Sequence, residues 1–129
     1  MKIYLAIKYH ADLSNKAVIE SISHQLKQLG HSVYCVARDL ESWGANHFPA
    51  EKLMQKSFEA IRASDLLLIE LSEKGVGLGI EAGYAHALGK PIIVIARTGS
   101  DISTTLKGIA TRVVFYENLA DLKEFADEL

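Results

Sequence analysis

The run Leu66–Leu71 (LLLIEL) is apolar at every position but Glu70, and it lies between Asp65 and a turn carrying Gly75, Gly77 and Gly79. A strand without polar alternation is buried on both faces, which places it in the middle of a parallel sheet with helices above and below. The segment after the turn, Leu78–Leu88, predicts a helix ended by Gly89-Lys90-Pro91. In an open parallel sheet, ligands bind past the carboxyl ends of the strands. The glycine turn is therefore the first place to look for a site, and Glu81 is the first acid beyond it. Placed in the first turn of its helix, Glu81 would be held ionised by unpaired amides and the macrodipole, as suits a nucleophile or an ordinary dipole partner.

The remaining chain repeats this alternation. Lys2–Ile7 predicts a first strand, and Ser14 is positioned to cap a helix over residues 15–29 that Gly30 closes. Ser32–Val36 predicts a second strand that includes Cys35, and Pro49 opens a helix with a stripe of Leu53, Met54, Phe58 and Ile61. Ile92–Ile95 and Val113–Phe115 predict the fourth and fifth strands. A short helix ends at Lys107, and Leu119–Leu129 predicts the last helix. Strand and helix alternating five times imply an α/β three-layer sandwich. Its five-stranded parallel sheet is expected to take the flavodoxin-like order 2-1-3-4-5. That order sets the ends of the first and third strands side by side, so Tyr9, His10 and Glu81 are expected to face one cleft.

A length of 129 residues makes residues 1–129 one domain. A formal charge of −2 provides no basic field for nucleic acid. The single cysteine allows no internal disulfide and lacks the spaced partners of a zinc site, so no metal and no cofactor is expected. No apolar run approaches the roughly 18 residues of a membrane span, and the N-terminus lacks a signal-peptide pattern. The expected setting is a reducing cytoplasm, away from membranes.

Several side chains are candidates for chemistry. Gly77-Leu78-Gly79-Ile80-Glu81-Ala82 fits the dinucleotide-binding glycine pattern, but follows the third strand instead of the first, and about 20 residues downstream offers only Asp101, in a loop. Glu70, an acid in an apolar strand, must be solvated, paired with a basic side chain or functional. Tyr84 is three residues beyond Glu81, where its hydroxyl either orients that carboxylate or is satisfied in the core. Trp43, His47 and Phe48 either stack on a base or plug the sheet edge. Arg97 and Ser103 bracket a loop with anion-binding character, though Ser103 also suits an ordinary N-cap. No Ser-His-Asp arrangement or Walker lysine stands out.

The text Ala63-Ser64-Asp65, Gly77 to Ala85 and Leu88-Gly89-Lys90-Pro91 resembles the nucleoside 2-deoxyribosyltransferases and their relatives, the 2′-deoxynucleoside 5′-phosphate N-hydrolases. The resemblance implies that Glu81 attacks C1′ of a (deoxy)ribosyl unit and expels the base, and that water or a second base resolves the glycosyl ester. It further implies a role for Ser103 on the sugar or phosphate, and a homodimer or larger homo-oligomer, for which a helix surface around Ala82, Ala85 and Leu88 is the expected contact. Tyr9, His10, Glu70, Gly75, Gly77, Gly79, Tyr84 and Arg97 complete the expected substrate-binding set. Two positions depart from the family: Ser57 stands where an Asp is usual, and Gly75 stands where transferases carry Asp and hydrolases Ser. A nucleotide-binding module without catalysis is the alternative reading.

Overall fold

The computed structural model describes residues 1–127 and 129. Five parallel strands, β1 (Lys2–Ile7), β2 (Ser32–Tyr34), β3 (Leu66–Glu70), β4 (Ile92–Arg97) and β5 (Arg112–Tyr116), form one sheet in the order β2-β1-β3-β4-β5. The helices are α1 (Lys16–Gln28), α2 (Ala50–Arg62), α3 (Val76–Ala87), α4 (Thr104–Ile109) and α5 (Leu122–Ala126). The expected flavodoxin-like sandwich is the observed fold.

Strand periodicity sorts the core into two halves. Ile3, Leu5, Leu66, Leu68 and Ile95 pack against α1 and α5, while Tyr4, Ala6, Leu67, Ile69 and Val94 pack against α2, α3 and α4. Every residue of β3 is buried, as its apolar run requires. Parity also assigns Glu70: it shares a face with Leu66 and Leu68, opposite Tyr4, and it pairs in register with Ile7.

The differences from expectation lie at element ends. β2 stops at Tyr34, and Cys35 is a buried residue just beyond it instead of a strand residue. Val36–Leu40 then forms a π-turn and Ser42–Gly44 a 3₁₀ turn. Ser14 does not cap α1; Asn15 holds that position, and the Ser14 hydroxyl is bonded to His10 Nδ1 at 2.8 Å. Gly30 closes α1 with φ +88°, and the next amide, His31, reaches back to Leu26 O at 3.1 Å. The last predicted helix breaks into a 3₁₀ turn, Leu119–Asp121, followed by α5, and position 128 lies outside the described residues.

The helix after the glycine turn starts earlier than its sequence suggests, at Val76, with Gly75 as extended N-cap. Glu81 is consequently in the second turn, beyond the reach of the first-turn amides. The surface around Ala82, Ala85 and Leu88 is also corrected: Ala82 and Ala85 are fully buried in the core, and only Leu88 is exposed.

Candidate active site

Two cavities open at the C-terminal edge of the sheet, one on each face. The larger, about 540 Å³, lies between the ends of β1 and β2 and the helices α2 and α3. Tyr9, Gly75, Gly77 and Glu81 all line it, so these four expected residues are brought together. The smaller, about 180 Å³, lies on the α1 side and receives His10, Glu70 and Arg97, which are thereby separated from Glu81.

Sequence reasoning missed Tyr4, which lines the larger cavity from β1 and is only 1% exposed. Its hydroxyl hydrogen-bonds with Glu81 and lies against Ser57. Burial, reinforced by the Glu81 charge, pushes the phenol far above its ordinary value, so Tyr4 remains a hydrogen-bond donor. The missed signal was a tyrosine inside a buried strand, since such a hydroxyl needs a partner. Ser57 donates to Leu53 O at 2.8 Å, one turn back along α2, and so caps no charge.

Burial pushes the Glu81 carboxyl up to about 7, while the bond from Tyr4 acts in the opposite direction. One oxygen, Oε2, is buried without a hydrogen-bond partner among the described residues. The other, Oε1, would lie 3.8 Å from a Cβ at Gly77, so the glycine turn passes close above the carboxylate. No cation neutralises it: none of the ion pairs among the described residues involves Glu81. The acid, in a residue that lines the cavity, is therefore poised between charge states with one oxygen that no described residue satisfies, a condition set by desolvation and not by the helix dipole. A buried carboxylate with a free lone pair is chemically suited to attack an electrophilic carbon.

The remaining expected residues are placed elsewhere. Tyr84 turns to α2, stacking on Phe58 with centroids 4.3 Å apart and accepting a 2.6 Å hydrogen bond from Arg62, so it is the satisfied aromatic and does not orient Glu81. Gly79 is on the outer surface of α3, with open space where a Cβ would be, and lines neither cavity. Ser103 holds the N-cap position of α4 without a side-chain cap bond and also lines neither. Trp43 plugs the edge: it packs on the α1-side core, with Lys16 Nζ 4.9 Å from its ring centre.

Among the described residues no ion pair joins Glu70 to a lysine or an arginine. Its Oε1 accepts from the Ser72 amide at 3.1 Å, from the Ser72 hydroxyl and from the Tyr116 hydroxyl at 3.2 Å. Nearby, Ser14 Oγ, His10 Nδ1, His10 Nε2 and Glu73 Oε2 form a continuous chain of 2.8 and 2.9 Å contacts, a Ser-His-Glu arrangement that sequence spacing did not show. Ser14 is exposed, and the Glu73 side chain is 56% exposed, so this chain is solvated. The described residues contain no cluster of three or more His, Cys, Asp or Glu able to hold a metal.

Residues 3–119 match the family described as nucleoside 2-deoxyribosyltransferase. The chain belongs to that family. Membership places it among proteins that cut or transfer the N-glycosidic bond of nucleosides or nucleotides. A candidate 2′-deoxynucleoside 5′-phosphate N-hydrolase 1 of Thermofilum pendens is 27% identical over 136 residues, covering 100% of this chain and 94% of that protein. The 5-hydroxymethyl-dUMP N-hydrolase of Mus musculus is 24% identical across 84% of this chain and 65% of its own length. Among solved structures, a CMP N-glycosidase of Clostridium botulinum superposes with a TM-score of 0.74 at 20% identity, each chain covered completely. A 2-deoxyribosyltransferase of Bacillus psychrosaccharolyticus gives 0.75 at 21% identity over 95% of this chain and 90% of that one. These structural likenesses establish the shared fold of this family member. No helix among its described residues is long and apolar enough to cross a membrane.

Proposed function

We propose that this family member breaks the N-glycosidic bond of a nucleoside 5′-monophosphate, with Glu81 as nucleophile and Tyr4 as the donor that positions it. The carrying observation is an acid, Glu81, that lines a cavity large enough for a nucleoside and has one oxygen without a partner among the described residues. An electron pair from Glu81 forms the bond to C1′ as the C1′–N bond breaks, and the released pair leaves with the base, which takes up a proton. Water then attacks C1′ and releases a proton that balances the one taken up by the base, returning the Glu81 carboxylate and freeing the sugar phosphate. Hydrolysis is favoured over transfer because neither acid typical of the transferases is present, Gly75 and Ser57 standing at those positions.

The phosphate site moves from its expected place. Arg97 belongs to the other cavity and Ser103 to neither, whereas the first amides of α3, at Val76 and Gly77, border the Glu81 cavity together with Lys8. Unpaired amides at a helix N-terminus and an ammonium suit a phosphate, so these groups take it in this reading. A second copy of the chain is proposed to cover the outer face of α3, where Val76, Ile80 and Leu88 are exposed at 82%, 48% and 42%. Sedimentation showing only monomer would remove that part.

Incubation with a panel of nucleosides and monophosphates, with and without an acceptor base, tests the proposal. Base release in water that disappears in Glu81→Ala is the expected result. Ligand-induced thermal stabilisation without turnover would instead support a binding module, the reading motivated by Ser57 and Gly75.

A further inference from the structure

The part of the Glu81 cavity built by α2 and by the chain after β2 is apolar at Val36, Ala37, Leu53 and Met54, which suits the faces of a planar ring. Its polar side chains are Cys35, Ser57 and Glu41. Cys35 is a weak hydrogen bonder whose thiol burial pushes up to about 11, and the Ser57 hydroxyl is already committed to Leu53 O. Glu41 alone has free capacity: its carboxylate makes no hydrogen bond to any described residue, and its nearest charged influence is His47.

The backbone holds Glu41 firmly. Its amide donates to Val36 O at 2.9 Å across the π-turn, and its carbonyl accepts from Gly44 and Asn46, both at 3.0 Å. Ser42 and Trp43, which follow it, are both left-handed, at φ +47° and +58°. Left-handed non-glycine residues persist only where their surroundings over-determine them, and here the Trp43 ring is anchored in the core beneath Lys16. The turn is thus a rigid mount for one carboxyl without a hydrogen-bond partner among the described residues, on the wall of the cavity.

We propose that Glu41 reads the base edge and makes the cavity selective for nucleobases bearing an exocyclic amino group, of the cytosine and adenine type, over their oxo counterparts. This rests on the glycosidic reading above. The exocyclic amino group donates to a Glu41 carboxylate oxygen through its N–H on the side away from the ring nitrogen. On that edge an oxo base presents only carbonyl lone pairs to the same oxygen and leaves the two acceptors opposed.

The test is equilibrium binding to Glu81→Gln protein, which holds uncleaved ligand, using cytidine and uridine 5′-monophosphates and their 2′-deoxy forms. With Glu41 present, the cytosine nucleotide is expected to bind at least about tenfold more tightly. Adding Glu41→Gln, whose amide donates as well as accepts, brings the ratio to within about twofold, while Glu41→Asp retains part of the preference. Equal binding of the two bases with Glu41 present, or a preference that survives Glu41→Gln, overturns this assignment and leaves the glycosidic reading intact. No binding of any nucleotide, together with no base release by the wild-type protein, overturns both.

Discussion

Two carboxylates stand at the same edge of this sheet, one on each face, and they have been treated differently. Glu70, 6% exposed, has its Oε1 surrounded by an amide and two hydroxyls, beside a cavity of about 180 Å³. Glu81 has Tyr4 as its donor, a bare Oε2 and a cavity of about 540 Å³. Donors supplied by the protein stabilise a carboxylate and occupy its lone pairs; withholding them leaves binding capacity for a ligand. Burial alone therefore does not mark a functional acid. In the proposed reading, an unsatisfied oxygen on an acid that lines a cavity does.

The strongest way to break this contrast is to remove each acid in turn. Glu81→Gln is expected to lower base release by more than about 1000-fold with the fold retained, because the proposed reaction takes its nucleophile from Glu81. Glu70→Gln is expected to leave the rate within a few-fold and to cost about 1–3 kcal/mol in denaturant unfolding, because two hydroxyls and an amide lose a charged acceptor. A large rate loss in Glu70→Gln would show that the two cavities work as one.

Tyr4→Phe sharpens the role of the single donor. We expect kcat to fall about 10- to 100-fold, and the ionisation of Glu81 to shift upward, since the Tyr4 bond is what opposes its burial. An unshifted pH profile would show that Tyr4 only packs.

The pH dependence follows from the same desolvation. In the proposed reaction Glu81 must be ionised to attack, so kcat/KM should rise with pH through about 7. Stability should move in the opposite direction. The folded carboxyl titrates near 7 and the unfolded one near 4.5, so the native state retains the proton over that interval and loses stability as pH rises. The penalty is about 3 kcal/mol once both forms are ionised, and unfolding of Glu81→Gln, which lacks it, measures the difference at pH 5 and pH 8.

The smallest effect is expected in the solvated chain of the other cavity. His10→Ala should change neither base release nor stability by more than about 0.5 kcal/mol, read from rate and unfolding midpoint. A marked loss of rate would draw the Ser14-His10-Glu73 chain into the site.

Much of the architecture was legible in local pattern. The apolar run at Leu66–Leu71, the alternation of elements and the glycines at 30 and 89 each report a requirement of the backbone nearby, and the sheet order follows from connection rules. Glu81 beside Gly75 and Gly77 was legible for the same reason. The grouping of the other candidates was not. His10 and Tyr9 are adjacent in sequence yet border different cavities, Tyr84 is one turn from Glu81 yet faces α2, and Tyr4 and Glu41 enter from segments far along the chain.

The sequence alone settled which segments become strands, how they cross over and where along them an acid follows glycines, because burial and chain connection act through near neighbours. Tertiary structure decided which face of the sheet each acid meets and how many donors surround it, and this sets the charge state of Glu81. Solvation and hydrogen bonding depend on atoms that only folding brings within reach.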